Sequence, residues 1–175
     1  MARRSWWGWG NVEDAVTGAE ADELVARVAS FLPNHDFVLH EPPRVAHLDL
    51  PAPRVVIPDS LAPMASSDVA DRAAHSHGKA YRDVVRNLEG NVRHPPDLVL
   101  RPRREQDVVN ALDWASSADV AIVPFGGGTS VVGGVEPRFD APAISLDVTR
   151  LDRVLEIDPV SRAARVQAGV LGPAL

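Results

Sequence analysis

Apolar side chains recur at helical spacing in two stretches of the chain. Leu24, Val25, Val28, Phe31 and Leu32 fall together on a helix over residues 18–31, with acids in its first turn and Pro33-Asn34 as the stop. Val108, Val109, Leu112 and Ala115 form the inner face of a second helix over 105–117, with Trp114 nearby. Between them the prolines from Pro42 to Pro63 rule out a regular helix and leave an extended wrap or linker, in which Arg54-Val55-Val56-Ile57 is briefly a strand. Ser67-Asp68-Val69-Ala70 then starts a polar amphipathic run from Asp71 to Leu88, which reads as a surface helix broken at Gly78.

Short apolar runs predict strands over 97–101, 120–123 and 143–147. A further pair, 153–157 and 163–167, flanks Asp158-Pro159-Val160-Ser161-Arg162 as a hairpin. Strand 97–101, helix 105–117 and strand 120–124 make a β–α–β unit, so the two strands are expected to run parallel with a right-handed crossover. Composition changes after His94-Pro95-Pro96, which places a domain boundary between residues 1–96 and 97–175. The fold class is α+β, a helical and extended arm followed by a β–α–β unit, a glycine loop, a strand and a hairpin. Pro173-Ala174-Leu175 reads as the first turn of another helix.

Composition narrows the chemistry. The 175 residues are 45% hydrophobic and 24% charged, with a net charge of -6, which suits a globular protein and argues against a nucleic-acid surface. Cysteine is absent, so disulfides, a thiolate nucleophile and Cys-ligated metals are excluded. No apolar run follows the basic start Ala2-Arg3-Arg4, and none approaches a membrane span, which makes the cytoplasm the expected location.

Pro124-Phe125-Gly126-Gly127-Gly128-Thr129-Ser130-Val131-Val132-Gly133-Gly134 puts five glycines into nine residues directly behind a strand. Without Cβ atoms, successive amides can converge on an anion, and the Thr129 and Ser130 hydroxyls add donors. A Walker A loop is excluded because Gly134 and Val135 stand where Lys and Ser/Thr belong. The Rossmann pattern fails because Val131 takes the third glycine position and no helix follows. A dinucleotide diphosphate cradle remains, beside the plain alternative of a glycine turn without a ligand.

Two other features carry chemistry. Trp6-Trp7-Gly8-Trp9 holds three of the four tryptophans, and such an arm is expected to pack across another part of the protein or a partner chain, with self-association through it left open. His75 and His77 point away from each other on a helix, so no metal site is expected there. The alternative to a plain surface helix places His75-Ser76-His77-Gly78-Lys79 at an active-site mouth, facing a phosphorylated substrate.

Leu98–Pro102, Pro124–Ser130, Ile144–Asp147 and Val166–Val170, in this order and spacing, resemble the FAD-binding domain of the vanillyl-alcohol oxidase / p-cresol methylhydroxylase (PCMH) superfamily. With Trp6–Gly10 and His75–Gly78, the chain resembles its alkyldihydroxyacetonephosphate synthase-like branch. The resemblance implies that residues 97–175 are the first lobe of a PCMH-type domain, truncated, and that the chain is an N-terminal fragment that binds FAD weakly and turns nothing over. It implies that Gly126, Gly127, Gly128, Thr129 and Ser130 hold the FAD diphosphate, that Val131 and Gly133 shape the loop, that Pro124 ends the strand beneath it, and that Gly169 lines the flavin side of the hairpin. Asp147 lies beside the cofactor in the family, although on local grounds it caps the Thr149-Arg150 turn. No histidine occurs after His94, so FAD is expected to bind non-covalently. The implied reaction exchanges an acyl group for a long-chain alcohol on dihydroxyacetone phosphate, a small-molecule or lipid substrate. FAD-dependent oxidation of 2-hydroxy acids and a non-catalytic remnant are the alternatives. The catalytic residues themselves are not identified.

Overall fold

The computed structural model describes residues 3–41, 43–172 and 175. Its helices are α1 (Gly18–Phe31), α2 (Val69–Ala74), α3 (Tyr81–Leu88) and α4 (Glu105–Ser117). Its strands are β1 (Ala65–Ser66), β2 (Leu98–Leu100), β3 (Ala121–Phe125), β4 (Ala143–Asp147), β5 (Val154–Asp158) and β6 (Ala163–Val166). The Pro173–Leu175 helix turn lies outside the described residues apart from Leu175.

Four strands form one sheet in the order β1-β2-β4-β3, and β5 pairs with β6 as the expected antiparallel hairpin. Strands β2 and β3 are parallel, but they do not touch: β4 lies between them and pairs with both. That central position explains why all five residues of β4 are buried. Pro124 does not end β3, which runs on to Phe125; a proline is tolerated because β3 is an edge strand.

Leu98, Leu100, Ala111, Ile144 and Leu146 form the core. Helix α4 has the bounds that the periodicity predicts, but its inner face is Val108, Ala111, Trp114 and Ala115, while Val109 and Leu112 are exposed. Helix α1 also has its expected bounds, and it buries no residue.

The proline-rich segment wraps the sheet as expected, but Arg54–Ile57 forms no strand. Val55, Ile57 and Met64 pack on the core, and Asp97 ties the wrap to the sheet. The Asp97 carboxylate accepts from the Arg54 amide at 2.7 Å, from the Arg54 guanidinium at 2.9 Å and from the Ala143 amide at 2.7 Å. Arg72, also buried, donates to the Pro51 and Pro96 carbonyls, both at 2.7 Å.

Candidate functional site

Parallel pairing of β3 and β4 sets Phe125 opposite Asp147, so the glycine loop and the turn Val148–Arg150 leave the sheet side by side at its carboxyl edge. Ligands of open α/β sheets bind at that edge. Gly128 is buried, with φ of +68°, and a Cβ there would stand 2.6 Å from Phe125 Cζ. The loop therefore folds back over the Phe125 ring. Among the described residues, the amides of Gly127, Gly128, Thr129 and Ser130 donate to no protein acceptor. Buried or half-buried amides without partners are costly, and an anion on the loop satisfies them together. The Ser130 hydroxyl accepts from the Gly134 amide at 3.3 Å, leaving its own proton free to donate. By these observations the loop fits the diphosphate of a dinucleotide.

Beneath the loop lies a buried ionic floor. Asp147 Oδ1 accepts from the Thr149 amide at 3.0 Å and hydroxyl at 2.6 Å, which is the turn cap expected on local grounds. Its Oδ2 meets His75 Nε2 and Arg101 Nε, each at 3.1 Å. Burial raises the Asp147 carboxyl, but the hydrogen bonds from His75 and Thr149 outweigh it and hold the group at about 2. His75 Nδ1 lies 2.7 Å from the Asp71 carbonyl, so both ring nitrogens face acceptors. The same ring lies 4.1 Å from that of Phe125. Arg101 also clamps the Asp71 carboxylate, at 2.7 and 2.8 Å.

The 75–79 segment differs from its sequence reading. His75, Ser76 and His77 are buried rather than on a surface helix, and the helix breaks from His75 onward, ahead of Gly78. Nor does either ring stand at an open mouth. His77 Nδ1 donates to Asn87 Oδ1 at 2.6 Å, because the amide of Asn87 is itself turned to the Trp7 carbonyl. His77 is held below its ordinary value chiefly by burial. Gly78 meets the loop directly: its absent Cβ would lie 2.0 Å from the Ser130 carbonyl oxygen, and the Lys79 amide donates to that oxygen at 2.7 Å.

A second cluster fixes the far end of the loop. Glu136 is buried and accepts from Arg86 at 3.0 Å through each oxygen, from Arg138 at 2.8 Å and from His94 at 3.0 Å. Burial opposes ionisation of Glu136, yet these donors lower it far below the usual carboxylate range. Of the remaining sequence-predicted residues, Val131 is exposed and Gly133 has φ of +79° beside the Arg82 guanidinium. Gly169 packs on the turn after Asp147, where a Cβ would lie 2.0 Å from the Val148 carbonyl oxygen. Sequence reasoning missed the roles of Arg101, which it read only as part of the strand motif Leu98–Pro102, and of Glu136; both side chains reach the site only through the fold. It also missed Arg4, whose guanidinium donates to the Gly127 carbonyl.

The tryptophan arm packs within the chain. Trp9 Nε1 donates to the Lys79 carbonyl at 3.0 Å, and the Lys79 ammonium donates to the Ser5 and Trp6 carbonyls. No helix among the described residues is long and apolar enough to cross a membrane.

Residues 96–175 match the family model described as "FAD binding domain". The chain is 44% identical over 109 residues to an alkyldihydroxyacetonephosphate synthase of Trypanosoma brucei brucei, covering 61% of this chain and 18% of that protein. It is 34% identical over 156 residues to the synthase of Dictyostelium discoideum, covering 79% of this chain and 24% of that protein. A solved structure of an alkyldihydroxyacetonephosphate synthase superposes with a TM-score of 0.84 at 24% identity, over 99% of this chain and 38% of that one. The chain thus spans about a quarter or less of the length of these curated relatives. Residues 96–175 therefore carry an FAD-binding domain, with FAD as its cofactor, and the chain is similar to alkyldihydroxyacetonephosphate synthases beyond that domain.

Proposed function

We propose that Gly126, Gly127, Gly128, Thr129 and Ser130 hold the FAD diphosphate non-covalently, in a flavoenzyme that exchanges the acyl group of an acylated dihydroxyacetone phosphate for a long-chain alcohol. The observation that carries the diphosphate assignment is the row of amides without protein acceptors in a loop that Gly128, which admits no side chain, folds back over Phe125. The branch rests on the reach of the similarity. The match to the Dictyostelium synthase covers more of the chain than residues 96–175 contain, so it extends upstream of the FAD-binding segment. The match to a D-2-hydroxyglutarate dehydrogenase of Bos taurus covers 53% of the chain, against 79% for the Dictyostelium synthase, so the upstream segment favours the synthase.

Bound FAD supplies the electron-accepting ring; the residues of this chain bind and orient it. Amides 127–130 and the Thr129 and Ser130 hydroxyls donate to the diphosphate. Pro124, Val131 and Gly133 set the course of the loop. Asp147 acts as a positioning residue, since both its oxygens are engaged by protein donors, and Gly169 lets the hairpin approach the Val148–Arg150 turn. In this reading the FAD-binding unit begins near residue 97, with β1 contributed from the preceding segment.

Gly126 offers a clean test, because a Cβ there meets no atom within 4 Å and its φ is not in the left-handed region. Gly126→Ala is expected to leave thermal stability within about 0.5 kcal/mol of the parent while weakening FAD binding by about tenfold or more, followed by flavin fluorescence. Unchanged FAD affinity in this variant would remove the diphosphate from the loop. For the reaction, labelled fatty alcohol should appear in alkyl-dihydroxyacetone phosphate as acyl-dihydroxyacetone phosphate releases its acyl group as free fatty acid, in the presence of the native polypeptide. Dye reduction by 2-hydroxy acids instead would overturn the synthase assignment.

A further inference from the structure

The glycine loop has no cation of its own, for residues 124–135 contain neither Lys nor Arg. With a net charge of -6, the chain must bring positive charge to a diphosphate from elsewhere. Two guanidinium groups reach the loop from outside it, Arg82 at Gly133, where it is paired with Asp83, and Arg4 at Gly127. Arg4 donates to the Gly127 carbonyl, and the missing Cβ of Gly127 would stand 3.6 Å from Arg4 Nη1. Lys79, the single lysine of the chain, follows the glycine packed on Ser130 and sends its ammonium to Ser5 O at 3.1 Å and Trp6 O at 3.3 Å.

The arm that carries Arg4 is a small closed hairpin. Arg4 bridges Asn11, the Ser5 amide donates to Gly10 O at 3.0 Å, and the Trp7 carbonyl accepts from Asn87. These bonds, with that from Trp9 to the Lys79 carbonyl, fix the arm that carries Arg4. Among the described residues, neither Arg4 nor Lys79 meets a carboxylate at ion-pair distance, whereas Arg3 is paired with Glu13, Arg86 and Arg138 with Glu136, and Arg101 with Asp71 and Asp147. Lys79 is held down to about 8, first by burial and then by the charge of Arg4, with Asp83 pulling the other way. A guanidinium without a carboxylate partner on a loop of open amides, held there by an arm that also binds an unpaired ammonium, is the electrostatic pattern of an anion site.

We propose that Arg4, delivered by the tryptophan hairpin, is a binding residue for the FAD diphosphate, with Lys79 as a second cation at longer range. The proposal rests on the assignment of the diphosphate to residues 126–130. Arg4 sits on the backbone of that same loop, which favours the cofactor diphosphate over a substrate phosphate.

The test titrates the 175-residue chain with FAD, with ADP as a diphosphate lacking flavin, with riboflavin as a flavin lacking phosphate, and with dihydroxyacetone phosphate. The proteins are the parent, Arg4→Gln, Arg4→Lys and Gly126→Ala. Arg4→Gln is expected to weaken FAD and ADP about tenfold and to flatten the salt dependence of ADP binding, with riboflavin unchanged and Arg4→Lys partly restored. ADP should also take up protons near pH 8 as it restores the charge of Lys79. If Arg4→Gln binds ADP like the parent while Gly126→Ala does not, the loop assignment stands and the Arg4 proposal falls. Parent-like binding by both variants, or a parent that neither FAD nor ADP saturates, overturns both. An equal loss of riboflavin marks Arg4 as merely structural, and a loss confined to dihydroxyacetone phosphate moves it to the substrate; either result rejects the proposal.

Discussion

The 75–79 segment and the 126–134 loop touch each other and are built by opposite means. In the first, side chains do the holding: His75 reaches Asp147 and Asp71, Ser76 donates back to the Arg72 carbonyl at 2.7 Å, and His77 is locked to Asn87. In the second, the backbone is left free, with amides 127–130 donating to nothing among the described residues. A loop that must offer its amides to a ligand cannot use them to hold itself. Its shape is therefore imposed by the segment packed against it, and Gly78 on Ser130 is the contact where this occurs.

The largest effect expected from breaking that contact is on stability. Gly78→Ala places a Cβ 2.0 Å from a backbone oxygen, which only a shift of one segment relieves. A loss of about 3 kcal/mol or more in urea unfolding, together with loss of FAD binding, is expected. If Gly78→Ala unfolds like the parent, the two segments are not rigidly coupled.

Next is the floor that both segments share. Asp147→Asn removes the anion between His75 and Arg101 and is expected to cost about 3 kcal/mol, because buried donors lose their charged acceptor. The same carboxylate makes stability depend on acid. Its native value near 2 lies below the ordinary 3.8, so its contribution is complete above about pH 4 and is lost as pH falls through 2. That interval corresponds to about 2 kcal/mol, and the acid limb of the unfolding curve should flatten in Asp147→Asn. An unchanged acid limb would show that the floor is not ionic.

Gly133→Ala tests the far end of the loop, where the positive φ and the nearby Arg82 guanidinium are the only obstacles. A cost of about 1 kcal/mol is expected, since the guanidinium can move and the backbone strain cannot. A cost as large as that of Gly78→Ala would mean that the loop holds itself at both ends.

Much of this molecule was legible in the chain. Periodicity defined α1 and α4 to their observed ends, apolar runs located β2, β4 and the hairpin, and the glycine spacing marked the loop at a strand's carboxyl end. These are local properties, written in neighbouring residues. What escaped was whatever depends on distant partners. The inner face of α4 was read as Val108, Val109, Leu112 and Ala115; Val109 and Leu112 are exposed and Ala111 takes their place, because periodicity ranks residue size and cannot know where the sheet admits a small side chain. The buried state of His75 and His77 was missed because a polar run reads as a surface until its acceptors, Asp147 and Asn87, are brought beneath it.

The sequence by itself determined where the chain turns helical or extended and where its backbone is bare enough to meet a phosphate, since both follow from side-chain size and spacing. Only the tertiary structure decided that β4 enters between β2 and β3, that His75 meets both Asp147 and the Phe125 ring, and that an arginine near the N-terminus reaches Gly127. Those are long-range pairings, and their energy comes from burying charges and amides together rather than from any residue's local preference.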